Sequence, residues 1–183
     1  MSSFRDLRIV DNFYQTSAYF PMPTVLISTL NETGKTSVGS YSLCFPYYVA
    51  GKEYYAMLLE SRNSSNTAQN ILRSGTCALN FIEDSRANFK EAVRLGFPGE
   101  TCEEKMGKCR FTLEEGQAVG DAPRPLVIQE AYQVFECTWQ SDLENAYEDI
   151  AKVGQLEGVE PPYRSFNGIT SKFGAHFILT IDK

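Results

Sequence analysis

The chain has 183 residues, and 17 lysines and arginines against 23 aspartates and glutamates give it a formal net charge of −6. Hydrophobic residues make up 43% and charged residues 22%, which is typical of one globular domain and excludes a disordered or fibrous chain. The negative charge excludes general electrostatic attraction to nucleic acid or to an anionic membrane surface, so we expect a small-molecule ligand.

Six short runs rich in β-branched and aromatic residues predict β-strands. They lie at residues 23–30, 35–44, 53–60, 76–83, 132–139 and 175–182. Residues 31–34 form a turn signal in which Gly34 can adopt a positive φ, so the first two strands are expected to form an antiparallel hairpin. Short strands with brief helices between them favour an antiparallel barrel over a doubly wound parallel sheet.

The first helix is predicted directly after the third strand. Asn66 has a side chain suited to the N-cap position, and Gln69 lies three residues further on, as in a capping box. Gly75 is predicted to end this helix.

Residues 86–110 predict a helical excursion that is interrupted by glycine and proline at 96–99. The expected apolar face consists of Phe89, Ala92 and Val93. Thr101 and Glu104 offer a capping box for the second half.

A third helix is predicted from Ser141, with Glu144 completing a capping box and Gly154 ending the helix. Its apolar stripe is expected to face the core and comprises Leu143, Ala146, Tyr147, Ile150 and Ala151. Residues 154–166 lack periodicity and predict a surface excursion long enough to cover a ligand.

The most informative polar run is residues 61–67, which follows a predicted strand and leads into a helix. It brings together one guanidinium, four hydroxyls and two side-chain amides. Helix N-terminal amides, hydroxyl donors and a guanidinium together suit a phosphate monoester. The alternative interpretation is that serine, asparagine and threonine are simply common in caps and turns.

The order of these pieces carries a family resemblance. A small-residue strand at 36–44 is followed by the polar run at 61–67, a helix, and a strand at 75–81. This order resembles that of the flavin reductase-like family of FMN-binding split β-barrels. The resemblance covers most of residues 20–139 and resumes at 174–178.

The resemblance implies a six-stranded antiparallel split β-barrel that forms a homodimer and binds one FMN per protomer near the interface. It implies that one strand lies along the flavin ring through Gly39, Ser40, Tyr41 and Ser42. It implies that the phosphate is held by Arg62, Ser64, Ser65, Asn66 and Thr67. FAD remains open as a replacement for FMN, and a strand kink or bulge is an equally good explanation of Gly39.

The chain departs from the family pattern in several places. Many relatives have an asparagine where this chain has Ser37, and a proline pair where it has Phe45 and Pro46. Many flavin reductases have an acidic residue before the histidine of the last strand, whereas here Ala175 precedes His176. His176 is therefore either a donor near the nicotinamide or an ordinary strand-end residue.

The leading hypothesis is a single domain over residues 1–183, with the helical excursion at 86–110 and an insertion at about 141–170. It would be a flavin reductase that transfers hydride from NAD(P)H to flavin, with no protein nucleophile. One alternative is an FMN-binding electron carrier without its own nicotinamide site. The other is a cofactor-free dimeric binding module.

The cysteines and the N-terminus predict the compartment. The five cysteines are widely spaced without a Cys-x-x-Cys pair, and there is one histidine, so reduced thiols and no metal site are expected. Residues 1–13 lack the features of a signal peptide, and no run approaches bilayer-spanning length. We expect a soluble, cytoplasmic protein, with Cys44, Cys77 and Cys137 buried and Trp139 used in packing.

Overall fold

An antiparallel sheet is the centre of the fold in this computed structural model, which describes residues 23–47, 54–141 and 167–183. The strands are β1 (Val25–Leu30), β2 (Thr36–Tyr41), β3 (Cys44–Tyr47), β4 (Ala56–Arg62), β5 (Thr76–Ile82), β6 (Leu113–Glu114), β7 (Val127–Ile128), β8 (Ala131–Trp139), β9 (Gly168–Ile169) and β10 (Gly174–Ile181). The helices are α1 (Asn66–Ser74), α2 (Arg86–Gly96) and α3 (Cys102–Gly107). No helix in these ranges is long and apolar enough to cross a bilayer.

The predicted run at 35–44 contains β2 and ends at Cys44, the first residue of β3, and the break between these two strands forms the split of the barrel. The order of the main sheet is β2-β1-β5-β8-β10-β4-β3, with β9 paired to β10. Strands β2 and β3 are consecutive in sequence but lie at opposite ends of this order, joined by Ser42 and Leu43. At this connection, the Glu60 N–H of β4 donates a hydrogen bond to the Leu43 carbonyl at 2.9 Å. The chain therefore has the predicted antiparallel split-barrel fold, and each of the six predicted runs contributes to it.

The predicted hairpin between β1 and β2 is confirmed. Gly34 has a φ of 76°, and the Asn31 side-chain oxygen accepts hydrogen bonds from the backbone N–H groups of Thr33 and Lys35 at 3.0 and 2.8 Å. The pairing runs from Val25–Tyr41 to Leu30–Thr36 without a register shift. There is accordingly no bulge at Gly39.

Strand β1 is buried on both faces, which explains its unbroken apolar sequence. Its alternate residues enter two separate hydrophobic clusters. Val25 and Ile27 lie in the larger cluster, which fills the barrel around Phe177. Leu26 lies in the smaller cluster, which is covered by Leu95 of α2.

The predicted burial of the strand cysteines is confirmed, as is the packing role of Trp139. Cys44, Cys77 and Cys137 are buried, and burial raises the pKa of Cys44 to about 12, so its thiol is protonated at neutral pH. Trp139 packs edge-to-face on Phe177, with ring centroids 5.4 Å apart. Within the described ranges, no group of three or more histidine, cysteine or acidic residues could hold a metal ion.

The predicted N-cap of α1 is wrong by one residue. Ser65 is the cap, and its hydroxyl oxygen accepts a hydrogen bond from Ala68 N–H at 3.1 Å. The Asn66 amide donates instead to the Glu100 carbonyl at 3.2 Å. Both residues have capping side chains, and the tertiary contact with the loop after α2 decides between them. The predicted helix end is confirmed, because Gly75 has a φ of 72°.

The excursion at 86–110 forms two helices, α2 and α3, as its internal interruption predicted. The capping box of α3 is confirmed, since Thr101 N–H donates to the Glu104 carboxylate at 2.8 Å and Glu104 N–H donates to the Thr101 hydroxyl at 3.2 Å. The predicted apolar face of α2 is wrong in part. Ala92 is buried, but Phe89 and Val93 are 61% and 44% exposed.

Glu91 takes a place on the buried face of α2 because its carboxylate is fully partnered. It is 6% exposed and accepts hydrogen bonds from the Arg94 guanidinium at 2.6 and 3.1 Å and from the Arg110 backbone N–H at 3.0 Å. The hydrogen bond from Arg94 lowers the pKa of Glu91, against the opposing effect of burial. These contacts fix α2 to the segment that follows α3.

The predicted helix from Ser141 to Gly154 and the predicted excursion at 154–166 lie outside the described residues, apart from Ser141 itself. The described end of the proposed insertion contains β9, in which Gly168 pairs with His176 and Ile169 pairs with Ala175 of β10.

We predict that Glu91 contributes to acid sensitivity. A lowered folded-state pKa stabilises the protein fully above about pH 4.3, where the carboxyl ionises in the unfolded chain, and this stabilisation is lost as the pH falls through the lower folded-state value. Glu91→Gln should lower the free energy of unfolding at pH 6 by about 1–3 kcal/mol and by less at pH 3. Urea unfolding at both pH values measures this, with exposed Glu115→Gln as the control. An equal loss at both pH values would contradict the prediction.

Candidate functional site

One cavity of about 470 Å³ lies where the end of β2, the turn between β4 and α1, and the segment from α2 to α3 meet. All nine residues expected from the sequence to contact a cofactor line this cavity. They are Gly39, Ser40, Tyr41, Ser42, Arg62, Ser64, Ser65, Asn66 and Thr67. The structure thus brings the small-residue strand and the polar run together in one place.

Gly39 allows β2 to pack closely against the first turn of α1. A Cβ atom at this position would lie 2.8 Å from the Thr67 hydroxyl oxygen and 3.0 Å from a ring carbon of Tyr41. A larger side chain would therefore force this wall of the cavity apart. Burial raises the pKa of the Tyr41 phenol, and hydrogen bonds with Ser65 and Thr67 act in the opposite direction.

The turn between β4 and α1 presents donors that suit an anion. The Ser65 hydroxyl oxygen caps the helix by accepting the Ala68 N–H, and the same hydroxyl forms a hydrogen bond with Tyr41 at the cavity. The first turn of α1 contains no acidic residue, so its positive end is not neutralised from within the helix. Arg62 is exposed at the cavity, and none of the described residues forms a hydrogen bond or ion pair with its guanidinium.

Asn63 fixes the outer side of this turn. Its backbone N–H donates to the Phe173 carbonyl and its side chain to the Lys172 carbonyl, both at 2.9 Å. Arg62 lies opposite Gly174 in the pairing of β4 with β10. The turn is therefore held against the last strand and the residues directly before it.

The cavity wall contains a buried hydroxyl that can still form a hydrogen bond, that of Ser61. Its hydroxyl oxygen is buried and has no hydrogen-bond partner. Leaving such a group unsatisfied costs about 1–3 kcal/mol, which a polar ligand would offset. This orphaned hydroxyl, the guanidinium and the helix N-terminus together suit a phosphate monoester.

The sequence reasoning missed one entire wall of the cavity. This wall runs from the end of α2 into α3 and consists of Leu95, Gly96, Pro98, Gly99, Glu100 and Lys105. The glycines and proline marked a break between two helices, but nothing in their spacing connected that break to β2. A Cβ atom at Gly96 would lie 3.5 Å from the Cβ of Ser40, which shows how closely the two walls approach.

Glu60 was also missed, and it connects the cavity to His176. Glu60 lines the cavity and lies opposite His176 in the pairing of β4 with β10. One Glu60 carboxylate oxygen is 3.8 Å from His176 Nε2, while His176 Nδ1 is 2.7 Å from the Thr170 hydroxyl. His176 itself is not among the residues that line the cavity. Its expected role beside a nicotinamide stays a prediction.

Comparison with known proteins identifies the fold. No family model matches the sequence, and no curated protein matches it. Among solved structures, a flavoredoxin of Methanosarcina acetivorans is similar with a TM-score of 0.63 and 16% identity, over 100% of this chain and 74% of that one. An NADH:FAD oxidoreductase of Streptomyces globisporus is similar with a TM-score of 0.62 and 10% identity, over 100% of this chain and 87% of that one.

A 2-nitrobenzoate 2-nitroreductase of Pseudomonas fluorescens is also similar, with a TM-score of 0.63 and 17% identity, over 97% of this chain and 71% of that one. At these identities the comparisons establish the fold and leave the activity to be argued from the site. The fold is that of the flavin reductase-like split β-barrels, as the order of elements in the sequence predicted.

Proposed function

We propose that this protein binds FMN in the cavity and acts as a flavin reductase that transfers hydride from NAD(P)H to flavin. The observation that carries the proposal is the convergence of the β2 residues 39–42 and the polar run 61–67 on one cavity. Solved structures with the same fold include a flavoredoxin and an NADH:FAD oxidoreductase, which supports a flavin ligand.

In this proposal the chain binds and orients the cofactor, and the flavin when bound supplies the hydride-accepting chemistry. Arg62, together with the hydroxyls and helix N-terminus of residues 64–67, holds the phosphate. The backbone of residues 39–42 lies along the flavin ring, where small side chains permit close approach. FMN is preferred over FAD in the proposal because one phosphate satisfies the donors of the turn.

A second candidate is an FMN-binding electron carrier without its own nicotinamide site. Two observations favour it. Ala175 stands where many flavin reductases have an acidic residue, and His176 does not line the cavity. A cofactor-free binding module is the third reading, and failure to bind any flavin would favour it.

We also propose that the protein is a homodimer, as the family resemblance implies. Phe89 and Val93 of α2 and Phe97 directly after it are 61%, 44% and 61% exposed. A second copy covering such an apolar stripe would remove it from water.

The dimer is tested by sedimentation equilibrium at several protein concentrations. The expected mass is twice the chain mass of 20.6 kDa. A mass equal to one chain at every concentration would contradict the proposal.

Arg62→Ala is expected to weaken FMN binding by about 10- to 100-fold, since a charge-assisted hydrogen bond to phosphate is lost. The free energy of unfolding should change by less than about 0.5 kcal/mol, because the guanidinium is exposed. Titration of FMN by quenching of its fluorescence measures the affinity. Exposed Arg86→Ala, at the start of α2, is the matched control and should bind FMN as the parent does. Equal affinities for parent and Arg62→Ala would remove Arg62 from the site.

The rate at which NADH or NADPH reduces the bound flavin distinguishes the reductase hypothesis from the carrier hypothesis. The FMN-loaded protein is mixed with NADH or NADPH in a stopped-flow spectrometer without oxygen. A reductase bleaches the flavin absorbance within seconds with at least one of the two nucleotides. A carrier keeps its colour with both nucleotides and bleaches only with a chemical reductant.

A further inference from the structure

Lys105 is a second cation of the cavity, and it lies on a different wall from Arg62. Arg62 comes from the end of β4, and Lys105 comes from α3, 43 positions further along the chain. In the sequence Lys105 resembles any solvent-facing lysine on a short charged helix. Only the folded chain places Lys105 on the same cavity as the phosphate-binding turn, which is the proposed phosphate site at residues 61–67.

The Lys105 ammonium keeps donors available for a ligand. Its Nζ atom donates one hydrogen bond, to the Leu95 carbonyl at 3.0 Å, and an ammonium has three donors. Lys105 is partly buried, and this burial lowers the pKa of its ammonium, with the nearby Glu100 acting in the opposite direction. An anion bound beside Lys105 would restore the stabilisation that water no longer provides.

Neither carboxylate on the cavity is a dedicated partner of Lys105. Glu100 forms an ion pair with Lys108 at 2.6 Å. Glu60 faces His176, at 3.8 Å across the strand pair. Among the described residues that line the cavity, Lys105 and Arg62 therefore remain as the two cations that a ligand can engage.

The wall that carries Lys105 is fixed against the phosphate-binding turn. The Asn66 amide, at the N-terminus of α1, donates to the Glu100 carbonyl at 3.2 Å. The Arg94 guanidinium donates to the Lys105 carbonyl at 3.5 Å, and α3 begins with a complete capping box. A cation held on such a wall loses less conformational freedom on binding than a mobile surface lysine would.

We propose that Lys105 is a second cationic ligand for the phosphate of the bound nucleotide, acting together with Arg62. The proposal rests on the proposed flavin function and deepens it. A phosphate monoester carries nearly two negative charges at neutral pH, so two cations and a helix N-terminus match it in charge. The cavity should therefore discriminate strongly between FMN and riboflavin, which has the same ring without the phosphate.

The first experiment compares FMN and riboflavin binding by fluorescence quenching in three proteins. They are the parent, Lys105→Gln, and Lys35→Gln as a control at an exposed lysine of the turn between β1 and β2. Lys105→Gln should weaken FMN binding about 10-fold or more and change riboflavin binding less than about twofold, since glutamine keeps a donor for Leu95 but has no charge. Lys35→Gln should leave both affinities unchanged. An unchanged FMN affinity in Lys105→Gln, or an equal loss for both flavins, would overturn the proposal.

A second measurement separates this proposal from the proposed function. Inorganic phosphate should raise the thermal unfolding midpoint of the parent and have a smaller effect on Lys105→Gln. If neither flavin binds the parent but phosphate shows this difference, the flavin function fails and the anion site with Lys105 stands. If phosphate affects the parent and Lys105→Gln equally, Lys105 is not an anion ligand.

Discussion

The rest of this structure depends on one constraint: the chain pairs with β1 through β2 and then, two residues later, with β4 through β3. Backbone N–H and C=O groups in a sheet must be paired, and an open sheet leaves two unpaired edges. Here the chain pairs with β1 through residue 41 and with β4 from residue 44, so the two ends of the strand order are joined by two residues. This closure brings the small-residue end of β2 beside the end of β4, where Arg62 and the N-terminus of α1 lie.

Close packing then turns this meeting point into a cavity with fixed walls. Gly39 lets β2 contact the first turn of α1, and Asn66 ties that turn to the segment between α2 and α3. The wall from α2 is anchored in turn by the buried Glu91 carboxylate, which accepts a hydrogen bond from the Arg110 backbone N–H in the segment after α3. Polar groups thus act here in two ways. Some hold the walls together, and others, such as the Ser61 hydroxyl, remain available to a ligand.

The sequence predicted features that depend on local geometry. The Gly34 hairpin, the Gly75 helix end and the capping box at Thr101 depend on backbone conformations or on hydrogen bonds within a few residues, and all three are confirmed. The predictions that failed were choices between locally equivalent options. Ser65 and Asn66 can both cap a helix, and the distant Glu100 carbonyl decided which one does. The predicted buried face of α2 was wrong in part because Glu91 lies on it. The Glu91 carboxylate can be buried because it accepts hydrogen bonds from Arg94 and from the Arg110 backbone N–H.

The sequence by itself determined the six strand-forming runs and the antiparallel barrel class, and the resemblance of its element order to a known family implied nine of the residues that line the cavity. It could do so because strand patterns, turn residues and the polar run 61–67 are each contained in short stretches of chain. Only the tertiary structure decided that β2 and β3, which are two residues apart in the chain, lie at opposite ends of the sheet order, and that Glu60 and Lys105 line the same cavity as Arg62. Sequence spacing has no information on these points, because they depend on which distant backbone groups pair and which helix packs over the barrel opening.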